Sequence, residues 1–268
     1  MKIFKYLTVF KTSFEQEFIY PINFVFWRLR NIIRFLLLYF LWSTVYLDSG
    51  KMIFGYDRAR ILTYVFVAFF LRAIVFSSKS ADIAGEIQNG GLSNYLLKPI
   101  NYFLYWLTRD FASKFLNVLF AIIETAILFL ILRPQFYFPS NPYQILMFIL
   151  FVLIAIALYS LITFLIALIP FWMPEAGWGS LFFVTIIIEF LSGSNFPLDV
   201  FPGVVQDILY LTPFPYLLFF PVEIFLGKIS GIFLLRAVII CSFWLLGFWY
   251  LLTVVWKKGL KQYESWGR

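Results

Sequence analysis

The sequence predicts an all-α integral membrane protein with six transmembrane helices. Three observations carry that reading. Six stretches are long and apolar enough to cross a hydrocarbon layer of about 30 Å. Only 13% of the 268 residues are charged and 62% are hydrophobic, against about 25% and 45–50% in soluble domains. A water-soluble core of that composition would expose large apolar patches. Too little chain remains between the stretches for a soluble domain, so residues 1–268 read as a single transmembrane domain.

Residues 1–20 predict an amphipathic helix lying on the membrane, the interfacial region running on to about residue 30. Ile3, Leu7, Phe10, Phe14 and Phe18 share one face, and Lys2, Lys5, Lys11 and Glu15 take the other sides. The scattered lysines do not read as a cleavable signal. The first span is expected over about Ile32–Leu47, with Arg28, Arg30 and Arg34 marking its cytoplasmic end. The second runs over about Ile61–Phe76, with Arg72 near its inner end, and the third over about Phe115–Leu132. The fourth, about Ile145–Ile169, is uncharged and long enough to cross with some tilt. The fifth starts near Trp178 and breaks at Ser192-Gly193-Ser194, and the sixth covers about Ile232–Trp256, ending in Lys257-Lys258.

Six spans put both termini on one side. Counting basic residues, the segments on that side hold 15 of the 21, which makes both termini cytoplasmic. Trp27, Trp42, Trp106, Trp178 and Trp256 fall near span ends, where interfacial aromatics belong.

Several function classes drop out on composition. There is no histidine, which removes the commonest metal ligand and acid–base catalyst, and one cysteine, Cys241, cannot pair within the chain. The net charge of +7 is accounted for by cytoplasmic flanks of the spans, not by nucleic-acid binding. No G-x4-G-K-[ST] loop exists, so the chain does not bind ATP by that route. A lipid-modifying enzyme would need clustered polar groups that are not visible.

Two segments do not fit simple spans and loops. Between the second and third spans, residues 80–99 predict a short cytoplasmic helix. Ser80 is placed to cap it, Asp82 favours its positive end, Ile83 and Ile87 share a face, and Asn89-Gly90-Gly91 ends it. A second short helix through Leu92, Tyr95 and Leu96 stops before Pro99. The first helix either docks into a partner's groove or rests on the protein's own surface. Between the fifth and sixth spans, residues 195–228 are apolar but interrupted by Pro197, Pro202, Gly203, Pro213, Pro215 and Pro221. Lipid does not tolerate unpaired backbone, so a re-entrant helical hairpin with arms Val204–Leu211 and Tyr216–Leu226 is expected over a greasy surface loop.

Glu124 in the third span and Glu189 near the outer end of the fifth are the acids at depth. Such residues line a pathway, titrate as proton sites, or pair structurally, here with Arg72 or Arg236.

Glu86, Gly90, Leu92, Leu96, Leu97 and Pro99 carry a spacing, E-x3-G-x-L and then a leucine pair before proline, that resembles the corresponding loop of type 2 ABC exporter permeases. The pattern SGSNFPLDVFPG followed by PFPYLLFFPVEIFLGK is similar to a subgroup of bacterial permeases of that family. The resemblance implies a membrane subunit of a bacterial ATP-binding cassette exporter, not itself an enzyme, in the plasma (inner) membrane. It implies a coupling helix that meets two copies of a separate ATPase through Asp82, Ile83, Glu86, Ile87 and Gly90. It also implies a second permease chain, identical or related, facing the first. The hairpin would cap the outer mouth through Phe196, Pro197, Asp199, Pro202, Pro213 and Pro215. No cofactor is expected in this chain, and ATP and magnesium would sit on the partner. The competing expectation is a proton- or sodium-coupled secondary transporter using Glu124 or Glu189. Against it, only one broken segment exists, with no inverted counterpart.

Overall fold

A computed structural model describes residues 2–19, 21–47 and 52–263 of the chain. The side chain of Ile3, and Lys51 and Arg268 from the charge count, lie outside the described residues. The architecture is helical: α1 (Lys2–Gln16), α2 (Pro21–Val45), α3 (Arg58–Val75), α4 (Ser80–Gln88), α5 (Ser93–Leu96), α6 (Tyr102–Leu132), α7 (Pro142–Ile166), α8 (Gly177–Leu191), α9 (Gly203–Leu211), α10 (Phe219–Phe225) and α11 (Ile232–Gln262).

Five helical stretches among the described residues are long and apolar enough to cross a membrane, one each from α3, α6, α7, α8 and α11. The expectation was six. The remaining long helix, α2, has 25 residues and extends about 37 Å at 1.5 Å per residue. Arg28, Arg30 and Arg34 leave it without an uninterrupted apolar stretch of spanning length.

The helix ends follow local chemistry. Asp57 caps α3 by accepting from the Arg60 amide at 2.7 Å, and Asn141 caps α7 ahead of Pro142. Asn101 caps α6 by accepting from the Leu104 amide at 3.0 Å, so that helix begins well before the expected Phe115. Its first turns carry charge, but Tyr102 and Trp106 are buried, and that packing holds the segment helical. Likewise α11 continues past Trp256 to Gln262. α8 follows its expected bounds with 15 residues, and the helical turn Pro174–Ala176 that runs into it extends the apolar stretch to 18 residues. It ends where Gly193 takes φ +79°, and a Cβ there would meet Tyr64 Oη at 2.7 Å, so no larger residue fits this break.

Most of the core lies between α2, α3, α7, α10 and α11. α3 is enclosed on nearly all sides, whereas α2, α6, α8 and α11 each keep large apolar side chains exposed. α1 packs along α6, with Phe10 edge-on to Phe115 at 6.1 Å and Phe14 tilted against it at 6.2 Å, so part of its aromatic stripe is covered by the chain itself. Two of the expected interfacial tryptophans are packing residues instead: Trp106 and Trp42 are buried.

Candidate functional site

The segment between the second and third expected spans is built from α4 and α5. Ser80 does not cap α4. It is the first helical residue, and the start is held from outside by the Asp110 carboxylate, which accepts from the Lys79 amide at 3.0 Å. Asp110 is buried on α6, pairs with Lys114 one turn on at 3.1 Å, and accepts from Ser160 of α7 at 3.3 Å. Lys114 also donates to the Ser77 carbonyl. Lys79 pairs with Glu17 at 2.6 Å. One buried carboxylate thus joins the exit of α3, the start of α4, and α6 and α7.

Of the two alternatives for α4, its apolar face rests on the protein itself. Ile83 and Ile87 are buried, packed with Ala84, Phe164, Leu168, Phe171, Leu181 and Trp106, because an apolar pair beside an unfilled core is drawn inward. Glu86 is half-buried and accepts from Tyr102 Oη at 3.1 Å. Gly90 takes φ +75° and turns the chain into α5. The outward surface is Asp82, Gln88 and Asn89, continued by Leu96 and Leu97, the last 88% exposed. The end of α11 clamps the back of this loop. Trp256 stacks on Tyr102 at 5.0 Å, and Tyr263 Oη lies 3.3 Å from Ser93 Oγ.

At the other end of α3, Tyr56 is fully buried between two carboxylates. Its hydroxyl lies 2.5 Å from Asp199 Oδ2 and 2.6 Å from Glu223 Oε1. Lys228 bridges the same pair at 2.7 and 3.1 Å and stands 3.5 Å over the Tyr56 ring. Burial and the two carboxylates push the Tyr56 phenol far above its ordinary pKa. Burial raises the Glu223 carboxyl to about 7, against the opposing pull of Lys228 and the Tyr56 hydrogen bond. A single phenolic proton cannot serve two carboxylates, so a proton on Glu223 completes the set.

This cluster anchors α9 and α10. Pro197 precedes a single helical turn, and Phe196 packs on Phe190 and Phe201 at 5.5 and 5.6 Å. Pro202 starts α9. Pro213 leads into the turn that holds the buried Pro215. Tyr216 Oη donates to the Tyr210 carbonyl at 2.6 Å, closing the two arms, and the Phe219 amide donates to the Ser192 carbonyl at 2.9 Å.

Between these ends, Glu189 accepts from Arg34 at 2.8 Å and from Arg72. Arg34 also donates to Asn195. Glu124 accepts from Arg28 at 3.2 Å, and Arg28 donates to Asn117 at 2.7 Å. Of the sequence-expected partners, Arg72 is one and Arg236 is not. Arg28 and Arg34 do not flank a span at the surface; they turn into the bundle, where acids offset them. Removing them and Arg72 from the cytoplasmic count leaves 12 basic residues against six, so the bias keeps its direction. These pairs line a cavity of about 280 Å³ between α2, α3 and α8.

The sequence reading missed Tyr56, Glu223, Lys228, Asp110 and Lys114. The signals were present: an acid alone in the apolar run FFPVEIF, and an opposite pair at i,i+4. Among the described residues no His/Cys/Asp/Glu group is arranged to hold a metal.

Helices of spanning length and apolarity, with charges paired between them, define a multi-pass membrane protein. Residues 32–267 match the ABC-2 family transporter protein family, and the chain belongs to that family. It is a type 2 ABC permease subunit, a role that implies work with an ABC ATPase. No curated protein matches the chain.

Proposed function

We propose that the chain is the conduit of an ATP-driven exporter in a bacterial inner membrane. Two such subunits, identical or related, face each other, and two separate ATPase subunits dock below with ATP and magnesium. α2 acts as the sixth span, both termini are cytoplasmic, and residues 195–228 form a re-entrant outer gate. The observation that carries the reading is the anchoring of the α4–α5 loop. Asp110 ties its start to α3, α6 and α7, and Trp256 and Tyr263 tie its end to α11. A push on Asp82, Gln88 or Leu97 therefore reaches four long helices at once. Docking runs through this exposed face, with Glu86, Ile83 and Ile87 supporting it from behind.

Against the gradient-driven alternative stands the engagement of both Glu124 and Glu189 by arginines. The test is reconstitution. Liposomes holding the chain alone, under a pH or sodium difference, should show no solute-coupled ion flux. Flux without any nucleotide-hydrolysing partner would end the exporter reading.

A further inference from the structure

The cavity between α2, α3 and α8 carries more positive charge than the protein neutralises. Arg28, Arg30, Arg34 and Arg72 line it, against Glu124 and Glu189, which leaves two positive charges over. Arg28 is matched by Glu124, while Arg34 and Arg72 share Glu189. Arg30 has no charged partner among the described residues. It sits one turn from Arg34 on the same face of α2.

Other groups in the cavity lack partners. Ser194 lines it and is 5% exposed, yet its hydroxyl makes no hydrogen bond among the described residues. The Nε atoms of Arg28 and Arg72 are buried and unpaired. Arg30 is itself exposed and open to a counter-ion, while the part-buried Arg34 and Arg72 share one carboxylate, and such excess charge is costly unless a counter-ion joins it.

We infer that this cavity binds the phosphate group of an anionic amphiphile. A phosphate monoester carries about −1.5 to −2 charge, which matches the two uncompensated guanidiniums; a carboxylate would leave one over. Its oxygens suit the planar fork of arginine, and the Ser194 hydroxyl supplies a further donor. The rim explains the apolar tail. Trp178 and Phe182 line the same cavity, are 70% and 57% exposed, and stack on each other at 5.6 Å. They offer an aromatic wall for a chain lying toward lipid. As a cargo site the cavity rests on the permease reading; as a binding site it does not.

The test uses the purified full chain in dodecyl maltoside micelles, whose detergent is itself a neutral amphiphile in large excess. Calorimetric titration with dodecyl phosphate should give saturable binding. Arg30→Gln should weaken it about tenfold, as loss of one charge-assisted contact would. Arg236→Gln, which removes an exposed arginine on α11, should leave it unchanged. Inorganic phosphate at the same concentration should bind far more weakly. Equal affinity in R30Q and the wild type, or equal weakening by R30Q and R236Q, would overturn the site. Inorganic phosphate binding as tightly as dodecyl phosphate would overturn the amphiphile. Failure of an ATPase to associate with the chain would sink the exporter reading and leave these titrations standing.

Discussion

Glu189 accepts a hydrogen bond from Arg34 at 2.8 Å across 155 positions of sequence, and the same carboxylate also holds Arg72. One side chain near the end of α8 therefore fixes α2 and α3. Glu189→Gln would keep the shape and lose the charge, leaving two part-buried guanidiniums facing each other. Its side chain is 21% exposed, so the cost should fall near the low end for breaking buried pairs, roughly 3 kcal/mol. Arg236→Gln should change stability by less than about 0.5 kcal/mol. Unfolding in denaturant, in the same micelles, compares the two.

The two faces of α4 should separate cleanly. Ile83→Ala removes a fully buried side chain and should cost about 2–5 kcal/mol of stability. Asp82→Lys alters only the exposed face. It should leave unfolding unchanged and weaken ATPase association, measured by pull-down with the purified ATPase. Normal association in D82K combined with Leu97→Asp would move the docking surface elsewhere.

Asp110 and Lys114 are both buried. Asp110→Asn leaves the lysine uncompensated and should cost about 3–5 kcal/mol. The double variant Asp110→Asn, Lys114→Met removes the orphaned charge and should recover most of that loss. A double variant no better than the single one would mean that the link to Lys79 and Ser160, not the ion pair, carries the effect.

The cluster of Tyr56, Asp199, Glu223 and Lys228 should make stability pH-dependent. The Glu223 pKa is raised to about 7, so the folded state holds a proton that the unfolded chain releases near pH 4.5. That contribution is full below about pH 4.5 and is lost as pH rises through about 7. Tyr56, Asp199 and Lys228 are the groups gathered around that carboxyl. Hydrogen exchange at α9 and α10 should therefore be slower near pH 5 than near pH 8 once intrinsic rates are divided out. Glu223→Gln should flatten the difference. A persistent pH effect in E223Q would assign it to another group.

The apolar runs were legible because composition alone bounds them: α7, α8 and the arms α9 and α10 fall close to their expected limits. The Ser192-Gly193-Ser194 break was legible because glycine marks it. What the sequence hid depends on distant partners. The three arginines of α2 look like a cytoplasmic flank until Glu124 and Glu189 are seen beside Arg28 and Arg34. The spacing of Ile83 and Ile87 defines a face but not the direction it points, and Trp106, Phe164 and Leu181, far apart in sequence, draw it inward. The early start of α6 was hidden because Arg109 and Asp110 read as loop, although Asp110 is the anchor.

The decisive measurement concerns the motor. The tagged chain is purified from its own membrane in mild detergent, and ATP hydrolysis in the eluate is assayed for the wild type and for Leu97→Asp. A hydrolysing subunit should co-elute with the wild type and be largely lost with L97D, while the chain itself elutes and unfolds as before. Equal hydrolysis in both would refute docking through the α4–α5 loop. A well-folded wild-type chain that elutes with no ATPase would contradict the conduit itself.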